Sequence, residues 1–242
     1  MPEVRPGDDL AALIAAACPA DLADGDVLVV ASKAVSKAEG CTVELASITP
    51  SEQALRLAEA APPPGKDPRL VQVVLDEATE VIRAERGVLI VETRHGFVCA
   101  NAGIDLSNLP GEDIALLLPA DPDGSARAIR AGIEAARGVR PAVVITDSFG
   151  RAWRVGQVDV AIGAAGLVTV DDWRGRSDAH GRELRATVAA VGDAVAGAAD
   201  LARSKDASEP VVLMRGLERF VTPDDGPGAG ELRRPRPDDL FR

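Results

Sequence analysis

Short apolar runs bounded by polar residues recur along this 242-residue chain, and helical patterns separate them at irregular intervals. Runs of this length that end in polar or turn residues are typical of buried strands. They lie at 24–32, 87–93, 96–103, 141–148, 157–173 (two strands joined at Gly-Ala-Ala-Gly) and 210–216. Helical spacing occurs at 8–17, 51–60, 69–78, 125–138 and 183–202. Because strands and helices do not alternate strictly, the pattern predicts an α+β fold with a mixed sheet rather than a doubly wound parallel sheet.

The core of such a fold must be built from small aliphatic side chains. Hydrophobic residues make up 46% of the chain, but aromatic residues only 2%, and tyrosine is absent. Aliphatic side chains fill space through many short contacts, which favours closely packed helices and sheets. From Thr222 onward the chain is rich in Pro, Gly and charge. We therefore expect residues 1–221 to form the domain and residues 222–242 to be a tail or linker that contributes no core element.

The net charge of −11 argues against nucleic-acid binding, because an acidic surface repels a phosphate backbone. No run reaches the ~18 apolar residues of a membrane span, and the N-terminus lacks a basic-then-apolar signal, so we expect a cytoplasmic protein without a membrane partner. Cys18, Cys41 and Cys99 form no CxxC pair. Their spacing disfavours a cysteine-based zinc site and favours idle thiols in a reducing compartment.

Familiar catalytic signatures are missing from the sequence. There is no GxxxxGK[ST] loop, no GxGxxG after a strand and no HExxH pair. His95 and His180 are isolated, so surface or hairpin positions explain them better than metal ligation or Ser-His-Asp hydrolysis.

Two polar clusters in the first half of the chain could bind an anion or a cation. Residues 32–40 carry two Ser, two Lys and a Gly as the chain leaves a strand, and these groups could orient phosphate oxygens. A solvated loop is the alternative. In the second cluster, Asp105 and Asn108 offer hard oxygen ligands suited to Mg²⁺ or Mn²⁺. An Asx-turn is the alternative there.

Two further clusters lie in the second half. Asp147 stands at the end of the strand at 141–148, where a ligand position is fixed and open, and Arg151 and Arg154 add forked positive charge. Residues 171–182 carry charges that nearly cancel, which suits a salt-bridged surface turn or a substrate loop. Taken together, metal-type oxygens (Asp105, Asp147) and phosphate-type donors (Lys37, Arg151, Arg154) predict phosphoryl transfer, in which positioning and charge neutralisation dominate.

The same clusters resemble those of the coenzyme F420-0:L-glutamate ligase (gamma-glutamyl ligase) family. The matching stretches are GDDL (7–10), GDVLVVASKAVSKAEG (25–40), CANAGIDLSN (99–108), VVITDSFGRAWRVGQVDVAIGAAGL (143–167), GR (181–182) and PVVLMRG (210–216). The resemblance implies an α+β fold that forms an intertwined homodimer. It also implies that GTP phosphorylates the phospholactyl carboxylate of F420-0 and that the amine of L-glutamate attacks the acyl phosphate. Further gamma-glutamates could be added by repeating the same chemistry.

The resemblance assigns roles to individual residues. Asp105 and Asp147 match ligands of one metal ion, and Ser148 matches a position that contacts a second. Asn108 matches a nucleotide contact, and so do Met1, Pro2, Glu3, Val4, Ser32 and Lys37. It implies Mg²⁺ or Mn²⁺ at two sites, GTP as co-substrate and K⁺ as an optional further cation. We expect Asp147, Arg151 and Arg154 to act in catalysis.

Departures from the family pattern, and the C-terminal stretch, leave alternatives open. Where relatives supply a ligand to the second metal, this chain has Arg203-Ser204-Lys205-Asp206; a protonated lysine cannot ligate a metal, and Asp206 is the alternative ligand. PDDLFR (237–242) resembles a linker that leads to a flavin-binding reductase domain in two-domain relatives. Lys205, and a chain start that falls inside the segment matching Met1 to Val4 without the short strand that relatives have before it, favour as one alternative a non-catalytic nucleotide-binding subunit that partners a separate flavin reductase. Another is a ligase with a different acceptor acid.

Overall fold

The computed structural model describes residues 1–106, 113–204 and 209–241. The helices are α1 (Leu10–Ala17), α2 (Ser32–Ala38), α3 (Glu52–Glu59), α4 (Pro68–Asp76), α5 (Pro122–Arg137) and α6 (Val191–Ala202). The strands are β1 (Val27–Ala31), β2 (Thr42–Glu44), β3 (Ala78–Glu85), β4 (Val88–Thr93), β5 (Val98–Ala100), β6 (Ile114–Leu116), β7 (Ala142–Arg151), β8 (Arg154–Ala165), β9 (Val170–Asp172), β10 (Val188–Ala190) and β11 (Val211–Met214).

The main sheet has the strand order β11-β1-β7-β8. Strands β1 and β7 are parallel, with Val29 opposite Val144 and Ala31 opposite Thr146. The outer pairs, β1 with β11 and β7 with β8, are antiparallel. The expectation of a mixed sheet in a fold of helices and strands is therefore confirmed.

Helices cover both faces of this sheet, which is why its inner strands are apolar on both sides. One face of β1 and β7 packs on α1 and α5 through residues such as Ile14, Ile133 and Ile145. The other face packs on α6 through residues such as Val144 and Val195. Side chains of a strand alternate between faces, so even-numbered residues of β7 face α6 and odd-numbered residues face α1 and α5.

A smaller sheet stands beside the main one. It is an antiparallel meander in the order β3-β4-β5, and it packs its inner face on α3 and α4 through Val91, Ala54 and Val74. Two-stranded pairings join β2 to β6 and β9 to β10. The β2–β6 pair and the meander place the segment around Asp105 next to the end of the main sheet, since Asp105 itself bridges Leu116.

Capping residues set where the helices begin. Asp9, Ser51, Asp67 and Asp121 each accept a hydrogen bond from a backbone N–H in the first turn of the following helix. The helix predicted at 125–138 begins earlier, at Pro122, because proline is suited to the first helical position after an aspartate cap. It ends at Gly138, which adopts the left-handed conformation that favours glycine (φ 70°).

Two sequence-based predictions are wrong. Residues 32–40 are not a loop: residues 32–38 form α2, whose Ala34, Val35 and Ser36 are buried. A helix was predicted over 183–202, but α6 begins only at Val191, and residues 188–190 form β10 opposite β9. Long-range pairing outweighs the helix propensity of the alanines there.

The C-terminal segment also differs from expectation. Ala229 is 1% exposed and lies in the core cluster on the α6 face, with Leu232 packed against it. The Thr169 hydroxyl donates to the Gly228 carbonyl (3.1 Å), and Arg130 pairs with Asp225 (2.8 Å). The expectation that this segment supplies no core residue is therefore wrong, whereas the division of the chain at residue 222 stays a prediction. Within the residues that the structure describes, no helix is both long enough and apolar enough to span a membrane.

Candidate active site

The parallel pairing of β1 with β7 ends at Ala31 and Thr146, while β7 itself continues to Arg151, and a polar side chain comes next on each strand. Ala31 closes β1 opposite Thr146 of β7, so Ser32 and Asp147 come next on neighbouring strands. The Ser32 hydroxyl donates a hydrogen bond to Asp147 Oδ1 at 2.7 Å. Ligand sites in sheets of this kind form beyond the carboxyl ends of parallel strands. This edge is therefore the candidate site.

Asp105 reaches the same edge from a different part of the chain. Its backbone is fixed by two hydrogen bonds with Leu116, at 3.0 and 2.9 Å. Its carboxylate forms an ion pair with the Lys33 ammonium, and Lys33 follows Ser32 in the first turn of α2. The charge of Asp105 acts on Asp147. The structure thus brings Ser32, Asp105 and Asp147 into one neighbourhood.

A left-handed turn delivers Asp105 to this position. Asn101, Ala102 and Gly103 all have positive φ (50°, 56° and 69°), which is costly for the first two because they carry a Cβ. Asn101 Oδ1 accepts hydrogen bonds from Lys66 Nζ (2.7 Å) and from the Leu89 backbone N–H (3.3 Å). Ala102 is buried. The surrounding contacts therefore hold a backbone conformation that the residues alone would avoid.

The electrostatics of Asp147 set it apart. Its pKa is raised from 3.8 to about 6, first because burial disfavours the charged form. The Ser32 hydrogen bond and the Lys33 ammonium oppose this shift, while the charges of Asp159 and Asp105 add to it. Nearby, burial raises the pKa of the Cys99 thiol to about 12, so this thiol stays protonated and inert. Asp147 thus carries a negative charge that its surroundings compensate only in part.

The opposite face of β7 carries a second polar group. Asp159, on β8, accepts hydrogen bonds from the hydroxyls of Thr146 (3.0 Å) and Ser148 (2.6 Å). Arg203, just after α6, pairs with Asp159 at 3.2 Å, and both side chains are nearly buried, at 9% and 5% exposure. The Ser148 hydroxyl is therefore directed to this face, whereas the adjacent Asp147 is directed to Ser32.

Other residues predicted for the site have different surroundings. Arg151 and Arg154 are exposed at the turn between β7 and β8, and Arg151 donates to the Val155 carbonyl at 2.8 Å. Lys37 lies half-buried in the last turn of α2. At the N-terminus, Val4 packs in the core, while the three residues before it (Met1, Pro2 and Glu3) are exposed. Asn108, Lys205 and Asp206 lie outside the described residues.

Asp159 was not predicted for this end of the sheet, and the sequence placed Lys33 and Arg203 in candidate clusters without predicting their pairing with Asp105 and Asp159. Asp159 carried a usable signal, because it is a lone carboxylate inside the apolar run VDVAIG. A buried carboxylate in a strand needs partners, and Thr146, Ser148 and Arg203 supply them. Arg203 begins the stretch that the family resemblance singled out for the second metal, but nothing in the sequence pairs it with Asp159.

The oxygen donors at the edge fit a hard divalent cation. Two carboxylates (Asp105, Asp147) and the Ser32 hydroxyl lie at this edge. The pKa of Asp147 is raised first by burial and then by the charges of Asp159 and Asp105, so a cation there would stabilise its charged form. Lys33 supplies the counter-charge from the protein itself. In the part of the chain that the structure describes, no group of three or more His, Cys, Asp or Glu is arranged to hold a metal. Any cation here would thus complete its coordination with ligands other than these side chains.

The surface also has a cavity, which lies away from this edge of the sheet. A cavity of about 550 Å³ opens at the far end of the main sheet, between residues such as Asp24, Arg140, Glu218 and Pro223. We place the candidate site at Asp147 instead, because partly compensated charge at strand ends is a stronger sign of chemistry than volume.

Comparison with known proteins adds a separate line of information. The sequence profile of the family described as F420-0:Gamma-glutamyl ligase matches residues 1–216. A coenzyme F420:L-glutamate ligase from Methanothermobacter thermautotrophicus is 46% identical over 246 residues, covering 100% of this chain and 96% of that protein. The ligase of the same name from Methanopyrus kandleri is 46% identical over 99% of this chain and 94% of its own length. That from Methanocaldococcus jannaschii is 43% identical over 90% and 85%.

Proposed function

We propose, from the premise that this chain belongs to the F420-0:Gamma-glutamyl ligase family, that it joins L-glutamate to F420-0 at the expense of GTP. The relatives that share its length are ligases by name, and they cover nearly the whole chain. The observation that carries the proposal is that Ser32 and Asp147 are hydrogen-bonded where the parallel pairing of β1 and β7 ends, with Asp105 close enough for its charge to act on Asp147.

The chemistry requires an activated carboxylate. A free carboxylate is a poor acyl donor at neutral pH, so the phospholactyl carboxylate of F420-0 is first phosphorylated by GTP. The amine of L-glutamate then attacks the acyl carbon, a C–N bond forms and phosphate leaves. GDP and phosphate are the products beside the amide. Nucleotide, acceptor and glutamate are all anionic, so the main task of the protein is to gather positive charge and hold the reactants in line.

The residues at the edge divide this task between them. Asp105 and Asp147 would hold Mg²⁺ or Mn²⁺, which supplies charge neutralisation for the phosphates when bound. Ser32 orients the Asp147 carboxylate through their 2.7 Å hydrogen bond. Lys33 holds Asp105 in place, and Lys37, one turn further along α2, is available to phosphate oxygens. Arg151 and Arg154 are exposed at a turn, where they can meet a carboxylate of an incoming substrate.

A mass assay tests this function directly. The protein is incubated with GTP, Mn²⁺, L-glutamate and F420-0, with and without K⁺, and we expect the F420-0 mass to rise by one or more glutamyl units with matching GDP release. Omission of L-glutamate should abolish the gain. GDP release without the gain would point to a different acceptor acid. Absence of nucleotide turnover with every acceptor would favour a non-catalytic nucleotide-binding subunit.

Assembly is a separate part of the proposal. We expect a homodimer, and a flavin reductase as a further partner remains open to test. Light scattering after size-exclusion chromatography gives the mass of the particle: a value for a single chain would contradict the homodimer.

A further inference from the structure

The two faces of β7 carry polar groups of different kinds. Asp147 points to the face of Ser32 and Asp105, where the candidate cation site lies. Thr146 and Ser148 point to the other face and donate to Asp159. The alternation of side chains along a strand enforces this separation. A cation bound by Asp147 lies on the other face of β7 from the oxygens around Ser148. Those oxygens must therefore pair with a different positive charge.

The guanidinium of Arg203 already supplies a charge to those oxygens. Nη1 donates to Asp159 Oδ2 and to the Thr146 hydroxyl, both at 3.2 Å, and Nη2 donates to the Val29 carbonyl at 3.0 Å. The acceptors come from three strands, β8, β7 and β1. They comprise a carboxylate, a hydroxyl and a backbone carbonyl, which are the oxygen types that hard divalent cations bind.

The ion pair of Arg203 and Asp159 is buried inside the protein and is not a surface ion pair. The side chains of Arg203 and Asp159 are 9% and 5% exposed. An unpaired carboxylate at that depth would be strongly destabilising, so Asp159 needs a permanent cation. Arginine is suited to the role because its guanidinium remains protonated and presents several donors in a fixed plane.

We propose that Arg203 is a built-in cation: its guanidinium holds the position on the Ser148 face of β7 that a second divalent ion would otherwise take. The consequence for catalysis rests on the proposed function: Arg203, in place of a second metal ion, supplies the second positive charge beside the nucleotide site. Arg203 is a positioning residue in this scheme, because it contacts Asp159 and Thr146 and not the reactants.

The test counts bound metal and needs neither F420-0 nor glutamate, so it is independent of the ligase assay. Bound Mn²⁺ is measured by electron paramagnetic resonance in the wild type and in Arg203→Ala. We expect Arg203→Ala to bind one more Mn²⁺ per chain than the wild type, because the vacated oxygens accept the ion. Equal counts in the two proteins would overturn the proposal, whether or not the wild type is a ligase.

Two matched variants sharpen the count. Arg203→Lys keeps a positive charge and should bind no extra ion. Arg203→Ala combined with Asp159→Asn removes both charges and should lose the extra ion, so an extra ion retained there would contradict the assignment. If Arg203→Ala is unfolded without metal, recovery of its thermal transition on addition of Mn²⁺ supports the proposal, and no recovery contradicts it.

Discussion

Two buried arginines lie at opposite ends of the main sheet, and they differ in how completely their surroundings satisfy them. Arg130, on α5, lies beside the entry to β7 and uses all five of its N–H donors. Its acceptors are the carbonyls of Arg140, Pro141, Thr222 and Asp224 and the carboxylate of Asp225. Arg203, near the exit of β7, leaves its buried Nε without a hydrogen-bond partner among the described residues.

The carboxylates differ in the same way. Asp225 is shared by Arg130 and Arg140, at 2.8 and 3.0 Å, so two cations meet one anion at the entry. At the exit, Asp147 lies near the charges of Asp105 and Asp159, and its pKa is raised. Arg140 Nε, also at the entry, has no hydrogen bond among the described residues but forms an ion pair with Glu134 at 3.1 Å. The full pairing of Arg130 therefore indicates a structural network, whereas the partly compensated charge of Asp147 indicates a site prepared for a ligand.

The largest expected effect is on Asp147. Asp147→Asn should lower ligase turnover about 10³-fold, the scale seen when a preorganised charge-stabilising group is removed. Its melting temperature should stay the same or rise, because a partly compensated buried carboxylate disappears. Steady-state assay and calorimetry of the same preparation give both numbers. Asp238→Asn, on the exposed C-terminal segment, is the matched control. A large fall in the melting temperature of Asp147→Asn without a loss of turnover would show that the two ends of the sheet do not differ in this way.

Arg130→Met probes the other end and should act on stability instead. The free energy of unfolding should fall by about 3 kcal/mol, the lower range for breaking a buried pair, since Arg140 still pairs with Asp225. The KM values of the folded fraction should not change. Arg127→Met is the control on the same helix, because Arg127 is exposed and its ion pair with Asp121, at 3.6 Å, is a surface contact. Denaturant titration measures the free energy of unfolding of both variants. An equally small loss in Arg130→Met and Arg127→Met would contradict the structural role of Arg130.

The pH dependence should also separate the two ends. The Asp147 carboxyl keeps its proton up to about pH 6 in the folded chain but only to about 3.8 when unfolded. Between these values the folded state binds more protons, so this group makes the free energy of unfolding fall as the pH rises, with no further change above pH 6. Affinity for Mn²⁺ should rise through the same window. The free energy of unfolding is plotted against pH for the wild type and for Asp147→Asn, and the difference between the two curves gives the contribution of Asp147. A difference that does not change with pH would refute the raised pKa of this group.

The smallest effect is expected at Ser32. Ser32→Ala removes one hydrogen bond to Asp147, worth about 1 kcal/mol, so turnover should fall by a few-fold. The midpoint of the pH profile should move upward, because that bond lowers the pKa of Asp147. Ser36 is buried on the same helix, so Ser36→Ala serves as the control. An unshifted midpoint in Ser32→Ala would mean that the bond does not act on Asp147.

The predictable parts of the fold are those with local signals. Apolar runs located β1, β7 and β11, and helical spacing with caps located α1, α3, α4 and α5. Strand β10 could not be found because only its partner β9 prevents the alanines there from continuing a helix. The burial of Ala229 was hidden for a similar reason: its partners on α6 are near in space and not in sequence.

Only part of the candidate site was predictable. Asp147 was marked by its place at the end of a strand, and its polar neighbour Ser32 by a similar place. The contact of Asp105 with Lys33 depends on the left-handed turn after β5, which no residue pattern announces because Asn101 and Ala102 adopt it only under tertiary constraint. Which face Ser148 takes follows from strand alternation, but only once the bounds and pairing of β7 are known.

The carbonyls and carboxylate that satisfy Arg130 have a consequence for how the protein is made. Thr222, Asp224 and Asp225 follow Arg130 by 92 to 95 residues, so a nascent chain carries Arg130 without these acceptors until that much more of it has been made. The entry to β7 then cannot close around its charge while the ribosome still holds the downstream segment. Completion of the sheet should accordingly wait until this downstream segment is free, and a chaperone that shields α5 and β7 in the meantime would have its greatest influence on yield.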